Sequence, residues 1–161
     1  FFMKFLYIPL FLLIYKISFS LEMSCVFEEV YQNGEIQQGF FLIKDDKFRY
    51  EYYSKNLFTI IHNQNLFFLI ENRNKSEYFK RTENTQILEA ILNVIKDYPN
   101  FEKDYYFEDI KIGIETSNKN IIKRIIILSN ENNLSVYIND CDFSPIKNLF
   151  FTYSPLFEYR N

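Results

Sequence analysis

Lys47-Phe48-Arg49-Tyr50-Glu51-Tyr52 alternates without a fault, with Phe48, Tyr50 and Tyr52 on one parity and Lys47, Arg49 and Glu51 on the other. Successive side chains of a strand point to opposite faces. The stretch therefore predicts a strand with one wholly aromatic face and one charged, outward face. Period two continues on both sides. Cys25–Tyr31, Gly39–Lys44, Lys47–Tyr53, Leu57–Ile61, Asn65–Glu71 and Glu77–Arg81 read as a series of strands. Turn residues part them: Asn33-Gly34, Asp45-Asp46, Ser54-Lys55-Asn56, His62-Asn63-Gln64 and Asn72-Arg73-Asn74. Turns about every ten residues indicate an antiparallel meander.

The period changes at Thr85. Leu88, Ile91, Leu92 and Ile95 fall at i, i+3, i+4 and i+7, which predicts a helix over Thr85–Lys96 with Thr85 as N-cap and Lys96 at the C-terminal dipole. Pro99 closes it. Strand patterns then return over Tyr105–Phe107, Asp109–Glu115, Ile121–Ser129, Leu134–Asn139 and Leu149–Tyr153. The expected fold is mainly β (α+β): a strongly curved antiparallel sheet, or half-open β-barrel, with a helical lid over its concave face.

A chain of 161 residues has room for one domain, and its 19 Phe and 13 Tyr must be buried or line an apolar cavity. The net charge of −3 disfavours general nucleic-acid binding. Residues 1–20 read as a signal peptide. Lys4 gives a positive start, Phe5–Tyr15 is apolar, and Ser18 and Ser20 are small residues at the positions a signal peptidase reads. Eleven apolar residues are too few for a helix across about 30 Å of hydrocarbon. An uncleaved anchor is the alternative, which Lys16 weakens. Residues 21–161 would form the mature domain. In an oxidising compartment Cys25 and Cys141 suggest a disulfide, whose long loop would stabilise by about 4–5 kcal/mol. Glu22-Met23-Ser24 ahead of Cys25 does not suit lipidation.

Chemistry is sparse. His62, the one histidine, reads as a polar turn residue. No metal-ligand spacing, nucleophile elbow or phosphate-cradling glycine loop occurs, so no metal, cofactor or enzymatic activity is expected. Adjacent Glu28 and Glu29 point to opposite faces and make a poor catalytic dyad, and Asp45-Asp46 is a turn. Apolar lining under a helix suits a greasy ligand held by area.

Gly39–Leu92 (GFFLIKDDKFRYEYYSKNLFTIIHNQNLFFLIENRNKSEYFKRTENTQILEAIL) resembles the periplasmic outer-membrane lipoprotein carrier family LolA. Phe27–Gly39 is similar to the family's first hairpin, and IIILSNENNLSVYINDCDFSPIKNLFFTYSP to its closing strands. The resemblance implies a half-barrel holding lipoprotein acyl chains in the periplasm of a Gram-negative bacterium. Its partners would be acylated lipoproteins, an inner-membrane lipoprotein-releasing ABC transporter and an outer-membrane receptor, with the carrier a monomer. Phe48, Tyr50, Tyr52, Leu88, Ile91, Leu92 and Ile95 would line the acyl cavity. Where many members carry Arg-Pro this chain has Asp45-Asp46, leaving Arg49 as the nearest candidate for holding the lid, although its parity points outward, with Asp45 as a second residue for lid control. The family's leading helix is absent before the first strand, and Pro99–Ile121 is short by a strand or two. A lipid- or lipoprotein-sensing module of the same fold, without transport, is the alternative.

Overall fold

The computed structural model describes residues 21–63, 66–74, 78–81, 86–117, 121–130 and 133–153, with the backbone alone for 78–81 and 86–89. The signal-peptide reading of 1–20, the Thr85 cap and the Leu88 side chain lie outside the described residues.

The strands are β1 (Glu22–Tyr31), β2 (Ile36–Lys44), β3 (Lys47–Tyr52), β4 (Phe58–Asn63), β5 (Leu66–Glu71) and β6 (Tyr78–Arg81), then β7 (Asp104–Phe107), β8 (Ile110–Thr116), β9 (Ile122–Leu128) and β10 (Asn133–Asp142). Between β6 and β7 runs helix α1 (Gln86–Lys96). The strands form one antiparallel sheet in the order β6-β5-β4-β3-β2-β1-β10-β9-β8-β7, and among the described residues it does not close. The meander is thus two runs of neighbours joined where β10 returns beside β1.

Curvature follows from the side chains. Ile60 on β4 and Ile125 on β9 line the same cavity. Those strands are five places apart, roughly 24 Å if the sheet were flat. Only a strongly bent sheet brings both to one space. The inner core joins Met23, Cys25 and Phe27 of β1 to Phe41, Ile43, Phe48, Ile112, Ile127, Val136 and Ile138 from other strands.

Two local features set this geometry. Gly39 of β2 sits opposite Phe27 of β1 and Tyr52 of β3. A Cβ there would collide with the Glu51 carbonyl and the Phe27 ring, so only glycine lets Phe27 lie across β2. On the other side the β1–β10 register shifts between Ser24 and Val26, and Asp140 adopts φ 45°. That bulge sets Cys141 against Cys25, and the two are joined with S–S 2.07 Å.

Three expectations are corrected. The Leu149–Tyr153 segment is not a strand but a 3₁₀-helix at Asn148–Phe151. With the residues leading into it, it lies across the outer face of β2, β3 and β4, where side chains meet the carbonyls: Lys44 Nζ donates to Ile146 O (2.6 Å), Arg49 Nη1 to Phe150 O (3.0 Å) and Asn63 Nδ2 to Phe151 O (3.2 Å). Phe40, Leu42, Ile146 and Phe151 form a second, smaller core beneath it. Arg49 is therefore buried rather than solvated, at 4% exposure. His62 belongs to β4 and stacks on Phe67 at 4.5 Å. Burial lowers its pKa, against a raising contact between Nδ1 and the Asp46 carbonyl.

Candidate functional site

Inside the curve lies a cavity of about 190 Å³. A dry cavity of ~150 Å³ admits benzene, whereas drug-sized pockets start near ~300 Å³. The space is real but holds only part of a long chain at rest. One end is made by Met23, Ile43 and Phe48, the flank by Ile91 and Ile95 of α1, and the far side by Ile122, Ile125, Leu134 and Val136. Along β1 the lining runs from Met23 to Tyr31, an elongated shape that spans roughly 27 Å of strand at the usual rise.

Of the residues expected around this space, Phe48, Tyr50, Tyr52, Ile91 and Ile95 line it. They come together because β3 keeps its parity and α1 packs on the inner core. Leu92 packs against that core without lining the cavity. The helix is rolled relative to its expected stripe. Ala90 and Val94, each 1% exposed, make its closest line of contact. Small side chains allow close approach there, while the larger Ile91 and Ile95 border the open space. Among residues 90–96, no hydrogen bond or ion pair links a described side chain to a strand, so this part of α1 is held by apolar packing.

The two residues considered for lid control are on the wrong side or too far along. Arg49 faces the outer core, where Nε (2.9 Å) and Nη2 (2.5 Å) both donate to Glu51 Oε2. Asp45 is exposed in the β2–β3 turn with φ 55°, a conformation that suits Asp, and its N–H donates to Leu21 O.

Glu29 is the residue that sequence reasoning passed over. Met23, Cys25 and Phe27 fix the parity of β1, and Glu29 continues that row into the cavity, 4% exposed. The Tyr50 hydroxyl donates to its Oε1 (2.6 Å), Tyr31 to Oε2 (2.7 Å), and Tyr52 to both (3.1 and 2.9 Å). Burial foremost, and the carboxylate next, raise all three phenols: Tyr31 to about 12, Tyr50 and Tyr52 well above their ordinary value. All three therefore keep their protons at neutral pH. Ring stacking fixes the cluster, with Phe27 and Tyr50 centroids 4.0 Å apart and Tyr52 edge-on to Tyr50 at 5.4 Å. Among the described residues no His/Cys/Asp/Glu group could hold a metal ion.

Among the described residues these features define a class by fold: an open, strongly curved antiparallel sheet with one short α-helix and an apolar cavity on its inner face. No family model and no curated protein matches the sequence. Among solved structures, a LolA superfamily protein from Nitrosomonas europaea is similar, with a TM-score of 0.50 at 10% identity over 83% of this chain and 90% of that one. At that identity the likeness is one of fold: a mainly β, open antiparallel sheet, consistent with the fold the sequence resemblance implied.

Proposed function

We propose that the protein binds the acyl chains of lipoproteins in its inner cavity and carries them, without cofactor or covalent step, between membranes of a Gram-negative periplasm. The observation that carries this reading is the unfilled apolar space within the curved sheet. A domain built only to present a surface would fill it, because an empty space forfeits the packing contacts of its lining. The Cys25–Cys141 bridge supports an oxidising compartment, in keeping with export by residues 1–20. Helix α1 serves as the lid. The apolar seat of its described residues lets it lift at modest cost, which a carrier needs in order to load at a transporter and unload at a receptor.

A neutral fluorescent acyl-chain probe tests the reading. Tyr50→Asp and Ile91→Asp put charge into the lining and are expected to weaken binding at least about tenfold, while Leu149→Asp on the outer surface leaves it unchanged. Equal binding by all three variants would remove the cavity assignment.

The placement of Arg49 favours a second reading. Held by Glu51 on the outer face, it is not available to latch α1 as the family's arginine is thought to do. A binding module that senses lipid or lipoprotein without handing it on fits that loss. Recovery of a signalling protein in place of a transporter after cross-linking in cells would decide for it.

A further inference from the structure

The cavity is apolar except at the end where Glu29 meets Tyr31, Tyr50 and Tyr52. Three phenols have three protons, and the hydrogen bonds direct all of them at the carboxylate. The phenol oxygens are left with acceptor lone pairs only. Among the described residues Glu29 has no ion pair, so its charge is softened by neutral donors and not cancelled. In apolar surroundings that charge acts at greater strength than it would in water. Every feature of this end offers electrons, and none offers a proton.

We propose that the Glu29–tyrosine cluster is a head-group seat selecting amphiphiles whose polar end is a protonated amine, accepting neutral hydroxyl heads less well and refusing carboxylate or phosphate heads. The proposal rests on the acyl-cavity reading and adds the chemistry at one end of it. An ammonium head supplies the positive charge the carboxylate lacks and donates three hydrogen bonds to acceptors already in place. A carboxylate head would bring a second negative charge beside the first and find no donor free.

The experiment displaces the neutral acyl probe from the disulfide-bonded protein with decylamine, decanol and decanoate at neutral pH, below their micelle concentrations. Decylamine is expected to compete at concentrations at least about tenfold below decanoate, with decanol between. Glu29→Gln is expected to bring the three within about threefold of one another. Glu28→Gln removes the same charge from the opposite face of β1, where Glu28 accepts from Gln38, and should leave the ranking intact. Because the wild-type ranking needs no variant, it decides the question even if Glu29→Gln folds poorly. It should also survive added salt, which screens surface attraction far more than a buried seat. Decanoate binding as tightly as decylamine, or a ranking abolished by salt or by Glu28→Gln, overturns the head-group seat while the cavity stands. Failure of the neutral probe and all three competitors to bind overturns both.

Discussion

Strand β3 buries a carboxylate partner on each of its faces, and the two are treated in opposite ways. On the outer face Glu51 receives two hydrogen bonds from Arg49, Arg49 also meets the Phe150 carbonyl, and the 3₁₀-helix with Ile146 and Phe151 closes over them. On the inner face Tyr50 and Tyr52 hold Glu29 with neutral hydroxyls beside an unfilled space. The outer charge is cancelled and covered, which is what a structural site requires. The inner charge is buried as deeply, but among the described residues it meets no cation, and it borders open space. The same strand thus separates a face that holds the fold together from a face free to receive something else.

Substitutions can break this contrast in order of their expected effect. Arg49→Leu strands Glu51 as a lone buried charge and should lower stability by about 3–5 kcal/mol in urea unfolding. Probe binding by the remaining folded fraction should not change. Gly39→Ala drives a methyl group into the Glu51 carbonyl and the Phe27 ring, so it strikes both faces. It should cost about 1–3 kcal/mol and weaken probe binding as well. Tyr52→Phe removes one donor to Glu29 and should cost about 1 kcal/mol. Its larger effect should fall on the choice of head group.

Titration gives subtler differences. The folded pKa of Tyr31 lies above the ordinary 10.0, at about 12, chiefly through burial and then through Glu29. The neutral phenol is the stabilised form, so its contribution is complete below pH 10.0 and fades as pH rises through about 12. Tyrosinate absorbance should show Tyr31 moving down in Glu29→Gln without returning to 10.0, because burial remains. The outer face responds at the other end of the scale. Hydrogen bonds from the Ile146 N–H and Lys44 hold Glu22 below its ordinary pKa. Its contribution is present above the ordinary carboxylate range and is lost as pH falls through the lowered value. A fall in the protection of the Ile146 amide relative to its intrinsic exchange rate on acidification, with the protection of the inner amides unchanged, checks this.

The sheet was legible because strand parity is a local property. Phe48, Tyr50 and Tyr52 could be assigned a common face from six residues, and the structure places all three around the cavity. The parity of β1 held more than was drawn from it. With Met23, Cys25 and Phe27 inward, Glu29 had to face the same way, and an acid in an apolar row was the signal of the polar seat. The outer face was not legible. Lys47, Arg49 and Glu51 have the pattern of a solvated face, and nothing local announces that residues a hundred positions later will cover it. The same segment, Leu149–Tyr153, has a strand-like run of rings, yet it meets no sheet edge. Its carbonyls at Phe150 and Phe151 are met by side chains of β3 and β4. The roll of α1 was equally hidden, because periodicity gives a helix its stripe but not the side chains small enough for closest approach.

The central claim is that the inner face, and not the covered outer one, receives an alkyl chain. Isoleucine-methyl NMR of the disulfide-bonded protein with decanol tests it directly. Magnetisation transfer from the chain should reach Ile60, Ile91 and Ile125, which border the cavity, and leave Ile146 beneath the outer segment silent. Transfer to Ile146 alone, or to no methyl group at a concentration that saturates the neutral probe's competitor curve, would contradict the account.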